Sequence, residues 1–482
     1  MNRQGQGNMT TWAAEELRFA NLGDARRNRR LIQIVEDLAA QPTASVPQAS
    51  RDAAAVQAAY DFWKSPHVKP DNVLAAKRDD TLEKIKEHSI VLVPQDTTEL
   101  NFTHHPEKKG LGYLDSALAR GLKVHSVLCS SVEGTPLGLL HQKVWARDWA
   151  QLGKKHQRGR KPIEEKESYR WIEGLEAVQT VVDPAIVVVS MADQEGDIYE
   201  LFAHPRKSNS ELLIRAYQNR SVKQDATDPE VKRLHQAIQQ VEPKGELTFE
   251  LQRTPKRAVR EVTLTVRFAS FLIQPPQGHL NRHQLKSIRL QAILAEEENP
   301  PTGEPPVRWL LLTTLPIANF EQAYQYIKWY SCRWLIERHH FVLKSGCRIE
   351  QLQLETADRI HRALATYSIV ACRLLWLTYE ARHNPERPAD EVFQPYEWKA
   401  LYSAIHKTTV LPSTPPTLHT CMRWIAQLGG FMGRKRDGQP GIKTIWQGLR
   451  RLHDIAETWR LVTSNSTPIV HSKYVKKDPI NG

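Results

Sequence analysis

The residues best suited to chemistry lie in one stretch, Tyr330 to Lys344, reading YSCRWLIERHHFVLK. Taken as a single helix at about 100° per residue, it puts Arg333, Glu337 and Lys344 at about −60°, −20° and −40° from Tyr330. A phenol, a guanidinium, a carboxylate and an ammonium then share one stripe. A carboxylate among cations suits a site that takes a metal ion and a phosphate together, because the metal needs oxygen ligands and the phosphate needs Arg and Lys. The same spacing also describes an ordinary surface ion pair. Two further carboxylates tip the reading toward chemistry. Asp96 comes after SIVLVPQ, where an apolar strand gives way to polar residues, and Pro94 makes that strand short or irregular. Asp193 ends AIVVVSMAD, a continuous apolar run of the buried-strand kind. An acidic residue at the C-terminal end of a buried strand is a favoured place for a site in an α/β sheet, although it also caps a following helix. Glu195 and Asp197 are close competitors for the same role.

If the two strands are neighbours, Asp96, Asp193 and Glu337 surround a pair of divalent cations. Two metals about 3.5 to 4 Å apart activate the attacking oxygen and stabilise the leaving oxygen of an in-line phosphoryl displacement. All-oxygen ligation selects Mg²⁺ or Mn²⁺ over zinc.

Composition names the partner. Lys and Arg number 66 against 54 Asp and Glu, a net charge of +12, and thirteen Trp and thirteen Tyr add flat surfaces. That balance favours a polyanion, nucleic acid before an anionic membrane. The five cysteines are scattered, odd in number and without CxxC spacing, which reads as reduced thiols in a cytoplasmic protein with no zinc site. No uninterrupted apolar run approaches the length of a membrane span or a signal peptide.

At 482 residues the chain has room for about three domains. Residues 10–38 read as an amphipathic helix broken at Leu22-Gly23-Asp24, followed by Arg26, Arg27, Arg29 and Arg30, a dense basic cluster at a helix start that suits phosphate. A second helix covers about 51–64, and Pro66 and Pro70 place a domain boundary near residue 75. Val124 to Ser131 and Leu137 to Trp145 form a hairpin around Glu133-Gly134. A charged loop with five Lys or Arg from Lys154 to Lys161 follows, then a helix over 169–180, the Asp193 strand, and a short strand over 212–217 that includes Arg215. Between about 226 and 306, period-two alternation in three segments predicts an antiparallel, β-rich insertion. Trp309 opens another strand. A long apolar helix is expected over 356–382. The remainder is helical, with a basic segment at Arg434, Lys435 and Arg436, and a last helix over 444–461 whose apolar stripe is either core or partner-facing. The tail beyond 463 reads as disordered.

The tokens QDTTEL at Asp96, ADQEGDI at Asp193, and Y-x2-R-x3-E-x6-K at Tyr330, Arg333, Glu337 and Lys344 resemble the signature of the DDE transposases of the IS-four family. The resemblance runs through LGDARRNRRL, VHSVL, LGLLHQ, EKES, AEEENPPTGEPPVRWLLLTTLP and LGGFMGRKR. It implies an α/β, RNase H-like catalytic core at 76–380 interrupted by the β insertion, an N-terminal helical domain at 1–75 that recognises transposon ends, and a C-terminal helical dimerisation region at 381–482. The implied reaction is cut-and-paste transposition: nicking of transposon ends, hairpin formation and reopening, and joining of 3′-hydroxyls to target DNA. Asp96, Asp193 and Glu337 would be the catalytic metal ligands for two Mg²⁺ ions, with Mn²⁺ as substitute. Tyr330, Arg333, Lys344 and Arg215 would contact phosphate, Trp309 would stack on a flipped base, and Arg26, Arg27 and Arg30 would bind double-stranded end DNA within a synaptic homodimer on the bacterial nucleoid. Trp309 as strand core, a catalytically silent DNA-binding relative and a metal-dependent nuclease that never joins are the alternatives. His339 and His340, which depart from the family pattern, read as surface residues.

Overall fold

Asp24 and Asp52, at the helix starts read from the sequence, each cap a helix. In the computed structural model they accept from Arg26 N and Ala55 N, both at 2.7 Å. The structure describes residues 11–154, 161–251, 259–279, 281–434 and 437–464. Most of the charged loop from Lys154 to Lys161, Lys435 and Arg436 of the basic segment, and the tail beyond 464 lie outside the described residues. Five helices precede the first strand: α1 (Trp12–Glu16), α2 (Ala25–Ala40), α3 (Val46–Ala49), α4 (Ala53–Lys64) and α5 (Pro70–Ile85). Their apolar faces bury Leu31, Ile34, Val35, Phe62 and Trp63.

The boundary expected near residue 75 falls in the middle of α5. Pro70 sits in the first turn of that helix, where a missing N–H costs nothing. A buried ionic cluster ties the region together: Lys77 Nζ lies 2.6 Å from Glu16 and 3.0 Å from Asp80, and Arg373 lies 3.5 Å from Glu16. Trp63 donates its indole N–H to Thr366 at 3.2 Å. The described residues up to His383 form one compact unit and those from Asn384 onward a second.

The sheet follows from the apolar runs. Strands β1 (Ile90–Asn101), β2 (Gly112–Tyr113), β3 (Arg120–Ser130) and β4 (Pro136–Trp145) are antiparallel neighbours, and the β3–β4 hairpin turns at Gly134 with φ +91°, which a side chain would resist. Helix α6 (Arg170–Val181) crosses over to β5 (Val187–Ala192), which lies parallel to β1, and β6 (Ser210–Arg215) lies parallel to β5 after the short helix α7 (Tyr199–Ala203). The order β4-β3-β1-β5-β6, with only the last three strands parallel, is an RNase H-like core.

Beyond β6 come β7 (Ser221–Lys223), β8 (Lys232–Arg233), α8 (Leu234–Gln239), β9 (Gly245–Leu251), β10 (Arg260–Ile273), β11 (Ile288–Glu296) and β12 (Arg308–Thr313). The alternating strands are antiparallel as the sequence predicts. They do not form a sheet of their own: β12 pairs with β6 and β11 with β12, so insertion and core share one 12-stranded sheet. Pairing gives the edge N–H and C=O groups of β6 partners, and periodicity carries no information on which edge a strand seeks.

Residues 330–344 are not one helix. Helix α9 (Phe320–Ser331) ends just past Tyr330, α10 (Trp334–Phe341) carries Glu337, and a π-helical turn (Val342–Gly346) carries Lys344. Between α9 and α10 the backbone stays right-handed but tightens, with Cys332 N bonded to Trp329 O at 2.9 Å and Arg333 N to Tyr330 O at 3.0 Å. The turn after α10 widens, Cys347 N reaching back to Val342 O at 2.7 Å. Overwinding then underwinding defeats a constant 100° step, and the sequence marks only the far end of the wide turn, with Gly346. Helix α11 (Ala357–His383) follows and is buried along most of its length.

In the second unit, α12 (Pro395–His406), α13 (Leu418–Leu428) and α14 (Ile442–Ser464) pack together. The apolar stripe of the last helix divides: Ile445, Trp446 and Leu452 are buried core, whereas Leu449, Ile455 and Trp459 are half-buried. No helix among the described residues is long and apolar enough to cross a membrane.

Candidate active site

The register of two parallel strands builds the site. Pro94 on β1 lies opposite Met191 on β5, and each strand carries an aspartate two residues further on, Asp96 and Asp193. Adjacent strands run about 4.8 Å apart, so the two carboxylates are neighbours. Asp96 does not end its strand: β1 continues to Asn101, and its ladder to β3 skips only Val93 and Pro94, where the proline offers no N–H. Asp193 does end β5 and caps the next turn. Asp96 Oδ1 accepts from Thr97 N at 2.8 Å, and Asp193 Oδ1 accepts from Glu195 N at 2.9 Å.

The third carboxylate arrives on α10, which packs against β1. Burial raises the Asp96 carboxyl to about 7; the Thr97 N–H and Arg333 oppose the rise, while the charges of Asp193 and Glu337 add to it. Asp96 therefore feels the charges of both other carboxylates. Glu337 is turned onto Arg333, its Oε1 2.8 Å from the guanidinium. Among the described residues no three metal-ligating side chains close around a single point. The donor set nonetheless fits a hard divalent cation: all ligands are carboxylate oxygens, and the charges of Asp193 and Glu337 on Asp96 call for positive charge.

The competitors are otherwise engaged. Asp197 is buried against Arg220 at 2.5 Å and accepts from the backbone N–H groups of Tyr217 and Gln218 at 2.8 and 2.7 Å. Glu195 points outward and pairs with Arg170 at 2.7 Å.

Arg333 is buried, and its Nε and Nη1 have no hydrogen-bond partner among the described residues. A guanidinium with two unused donors beside a carboxylate cluster is suited to an incoming phosphate. Its positive charge lies 5.7 Å from the Tyr330 ring and 5.1 Å from that of Trp334. Tyr330 is buried, and burial raises its phenol to about 12, with Arg333 and Arg215 opposing. Arg215, the last residue of β6, donates to Arg308 O at 3.2 Å. Trp309 packs edge-on against Tyr330 at 6.1 Å. Lys344 is partly exposed, 3.8 Å from Glu350. The structure thus brings Asp96, Asp193, Glu337, Arg333, Tyr330, Arg215 and Trp309 to one region. Arg26, Arg27 and Arg30 belong to another element, the first turns of α2, where Arg26 is exposed and Arg27 donates to Leu22 O at 2.9 Å.

His339 and His340 are not surface residues. Both face inward from α10, His340 with Nδ1 3.7 Å from Asp96 Oδ2 and His339 with Nδ1 3.9 Å from the Cys372 thiol. Burial lowers His339 to about 4 and His340 well below its ordinary value, so both are neutral near pH 7. Two adjacent polar residues in a mixed helix offered no sign of this.

Sequence reasoning also missed the residues behind Asp96. Arg170, at the start of α6, donates through Nε to Thr97 Oγ1 at 2.7 Å. Thr97 Oγ1 lies 2.9 Å from His125 Nδ1, and His125 Nε2 lies 3.2 Å from Gln95 Oε1. Their spacing of tens of residues carries no pattern. The EKES token just before Arg170 was the nearest signal.

Three family models match the chain in order: a transposase DNA-binding model over residues 9–68, a transposase DDE domain over 168–373 and a transposase Tn5 dimerisation domain over 369–468. The DDE match includes Asp193 and Glu337 and begins after β1–β4, so Asp96 enters the site through strand pairing alone. With these three modules on an RNase H-like sheet, the chain belongs to the Tn5-like DDE transposases, metal-dependent enzymes of DNA cleavage and strand transfer that bind DNA and form homodimers.

Proposed function

We propose that this transposase works by cut-and-paste, with Asp96, Asp193 and Glu337 as its catalytic carboxylates holding two Mg²⁺ ions, for which Mn²⁺ substitutes. The observation that carries the reading is the β1–β5 register, which sets two half-buried aspartates side by side, with the charge of Glu337 acting on Asp96. Bound there, paired divalent cations supply Lewis-acid stabilisation to the attacking and leaving oxygens of phosphoryl transfer. Water opens one strand at the transposon end. The freed 3′-hydroxyl then attacks the opposite strand to give a hairpin, and reopening precedes joining to target DNA.

The surrounding side chains bind and orient. Arg333 turns its two unused donors to a phosphate near the cut, and Arg215, Lys344 and the Tyr330 hydroxyl hold neighbouring phosphates. Trp309, half-buried against Tyr330, offers a plane to a base turned out of the helix. Arg26, Arg27 and Arg30 grip the transposon end, and in a synaptic homodimer each subunit cuts the end held by the other.

The test uses purified protein, Mg²⁺ and linear DNA carrying the inverted repeats that flank its own gene, beside Asp193→Ala on a denaturing gel. Nicks and hairpins at the repeat ends, absent in the variant, are the expected result. Cutting without hairpins or joining would replace this reading with a nuclease. DNA binding without cutting by either protein would replace it with a silent DNA-binding relative.

A further inference from the structure

We infer that Arg170 is a positioning residue that fixes the orientation of the Asp96 and Asp193 carboxylates. The inference rests on the reading of those two aspartates as cation ligands. Arg170 does not touch either one. It holds the two residues whose backbone N–H groups orient them: Nε donates to Thr97 Oγ1 at 2.7 Å while Thr97 N donates to Asp96 Oδ1 at 2.8 Å, and Nη2 donates to Glu195 Oε2 at 2.7 Å while Glu195 N donates to Asp193 Oδ1 at 2.9 Å. The third nitrogen, Nη1, is fixed to Glu167 O at 2.9 Å. One planar guanidinium thus spans strand β1 at Thr97 and the turn after Asp193, and its side chain is only 11% exposed.

The Thr97 arm is itself fixed. Because its oxygen accepts from Arg170, its hydroxyl hydrogen is free to donate to His125 Nδ1, and the neutral His125 then donates from Nε2 to Gln95 Oε1. His125 is wholly buried edge-on to Trp171 at 4.7 Å, so the chain cannot swing. A plain surface ion pair between Arg170 and Glu195 would leave the aspartates indifferent to its loss. A clamp predicts otherwise. Lysine is no substitute, since an ammonium is a point charge without the rigid fork that reaches two partners in fixed directions. Groups behind metal ligands commonly change metal affinity by roughly 10- to 100-fold when removed.

The experiment titrates Mn²⁺ into DNA-free protein, reading unbound Mn²⁺ by electron paramagnetic resonance, with thermal melting and end-DNA binding measured on the same samples. Wild type is compared with Asp96→Asn, Asp193→Asn, Arg170→Gln, Arg170→Lys, Glu195→Gln and Thr97→Val. Arg170→Gln is expected to weaken Mn²⁺ binding roughly tenfold or more, with melting and DNA affinity close to wild type. Arg170→Lys should fall in the same direction, and Glu195→Gln, which keeps an acceptor oxygen, should recover most of the affinity. Should Arg170→Gln fail to fold, Thr97→Val removes one arm alone and must still weaken binding several-fold. Wild-type Mn²⁺ affinity in the Arg170 and Thr97 variants, with both asparagine variants impaired, overturns the inference. A drop in melting temperature and DNA affinity without a change in Mn²⁺ affinity overturns it too, as a purely structural role. Undiminished binding in the two asparagine variants would instead bring down the assignment of the carboxylates.

Discussion

Asp96 and Asp193 occupy equivalent positions on adjacent parallel strands, each two residues beyond the Pro94–Met191 pair. Removing either carboxylate, or that of Glu337, takes away charge at the reacting centre and leaves the DNA-binding helices untouched. Asp96→Asn, Asp193→Asn and Glu337→Gln should each lower nicking by roughly 10²- to 10³-fold or more, as losses of electrostatic stabilisers do. Shifted gel bands for end DNA should stay as strong as wild type, and a parallel loss of binding would count against this division of labour.

Arg333 reserves two buried donors while holding Glu337 with the third nitrogen. Charge-assisted hydrogen bonds contribute about 1.5 to 3 kcal/mol each, so Arg333→Ala should weaken a terminal-phosphate contact by roughly ten- to a hundredfold. Arg333→Lys should recover little of it. Single-turnover nicking rates across DNA concentrations would separate this loss of binding from a loss in the chemical step.

Arg26 and Arg30 differ from Arg27 in their expected effect. Arg27 braces the turn before α2 through Leu22 O. If Arg26 and Arg30 each meet one phosphate, alanine at either should reduce the slope of log affinity against log salt by about 0.9. An unchanged slope for end DNA between 50 and 200 mM salt, on the order of the range where such contacts register, would remove that residue from the DNA face.

Acid stability should depend on Glu16. Its burial alone would raise the carboxyl, but Lys77, Lys84 and Arg373 more than offset this and hold it at about 2, against an ordinary value of 4.5. A folded-state value below the unfolded one stabilises the protein above pH 4.5, and that contribution is lost as pH falls from about 4.5 toward 2. The difference corresponds to a contribution on the order of 3 kcal/mol. Glu16→Gln should therefore melt well below wild type at pH 7, with the gap closing in acid. A gap that does not narrow between pH 5 and pH 3, roughly the accessible part of that window, would mean the cluster contributes no linkage.

Gly174 lets α6 approach β1: a Cβ there would lie 2.4 Å from Gln95 Oε1, the acceptor for buried His125. Gly174→Ala should cost about 1 to 3 kcal/mol through overpacking and slow nicking by disturbing the support behind Asp96. Denaturant midpoints and nicking rates on one preparation test both parts. Wild-type values for both would show that Gln95 yields freely.

The residue types of the site and their strands were legible because they depend on local order. Apolar runs marked β1, β5 and β12, aspartates marked the first two, and the Tyr-Arg-Glu-Lys spacing marked the third carboxylate and its cations. Legibility failed where the answer depends on contacts between distant segments. The alternating strands were legible as an antiparallel insertion but not as an extension of the core sheet, because period two reports a buried face and not the edge to which a strand docks.

The sequence by itself determined which side chains could serve, since carboxylates, guanidinium groups and apolar periodicity are properties of the chain. Only the tertiary structure decided how they meet. The one-to-one register of β1 and β5 fixes the spacing of Asp96 and Asp193, since it is set by hydrogen bonds between segments nearly a hundred residues apart. The tight turn at Cys332 and the wide turn after Phe341 bracket α10 where it packs against β1 and α11, contacts that the local helical step does not encode. Burial of His340 and the reach of Arg170 from Thr97 on β1 to Glu195 after β5 exist only once the sheet has formed.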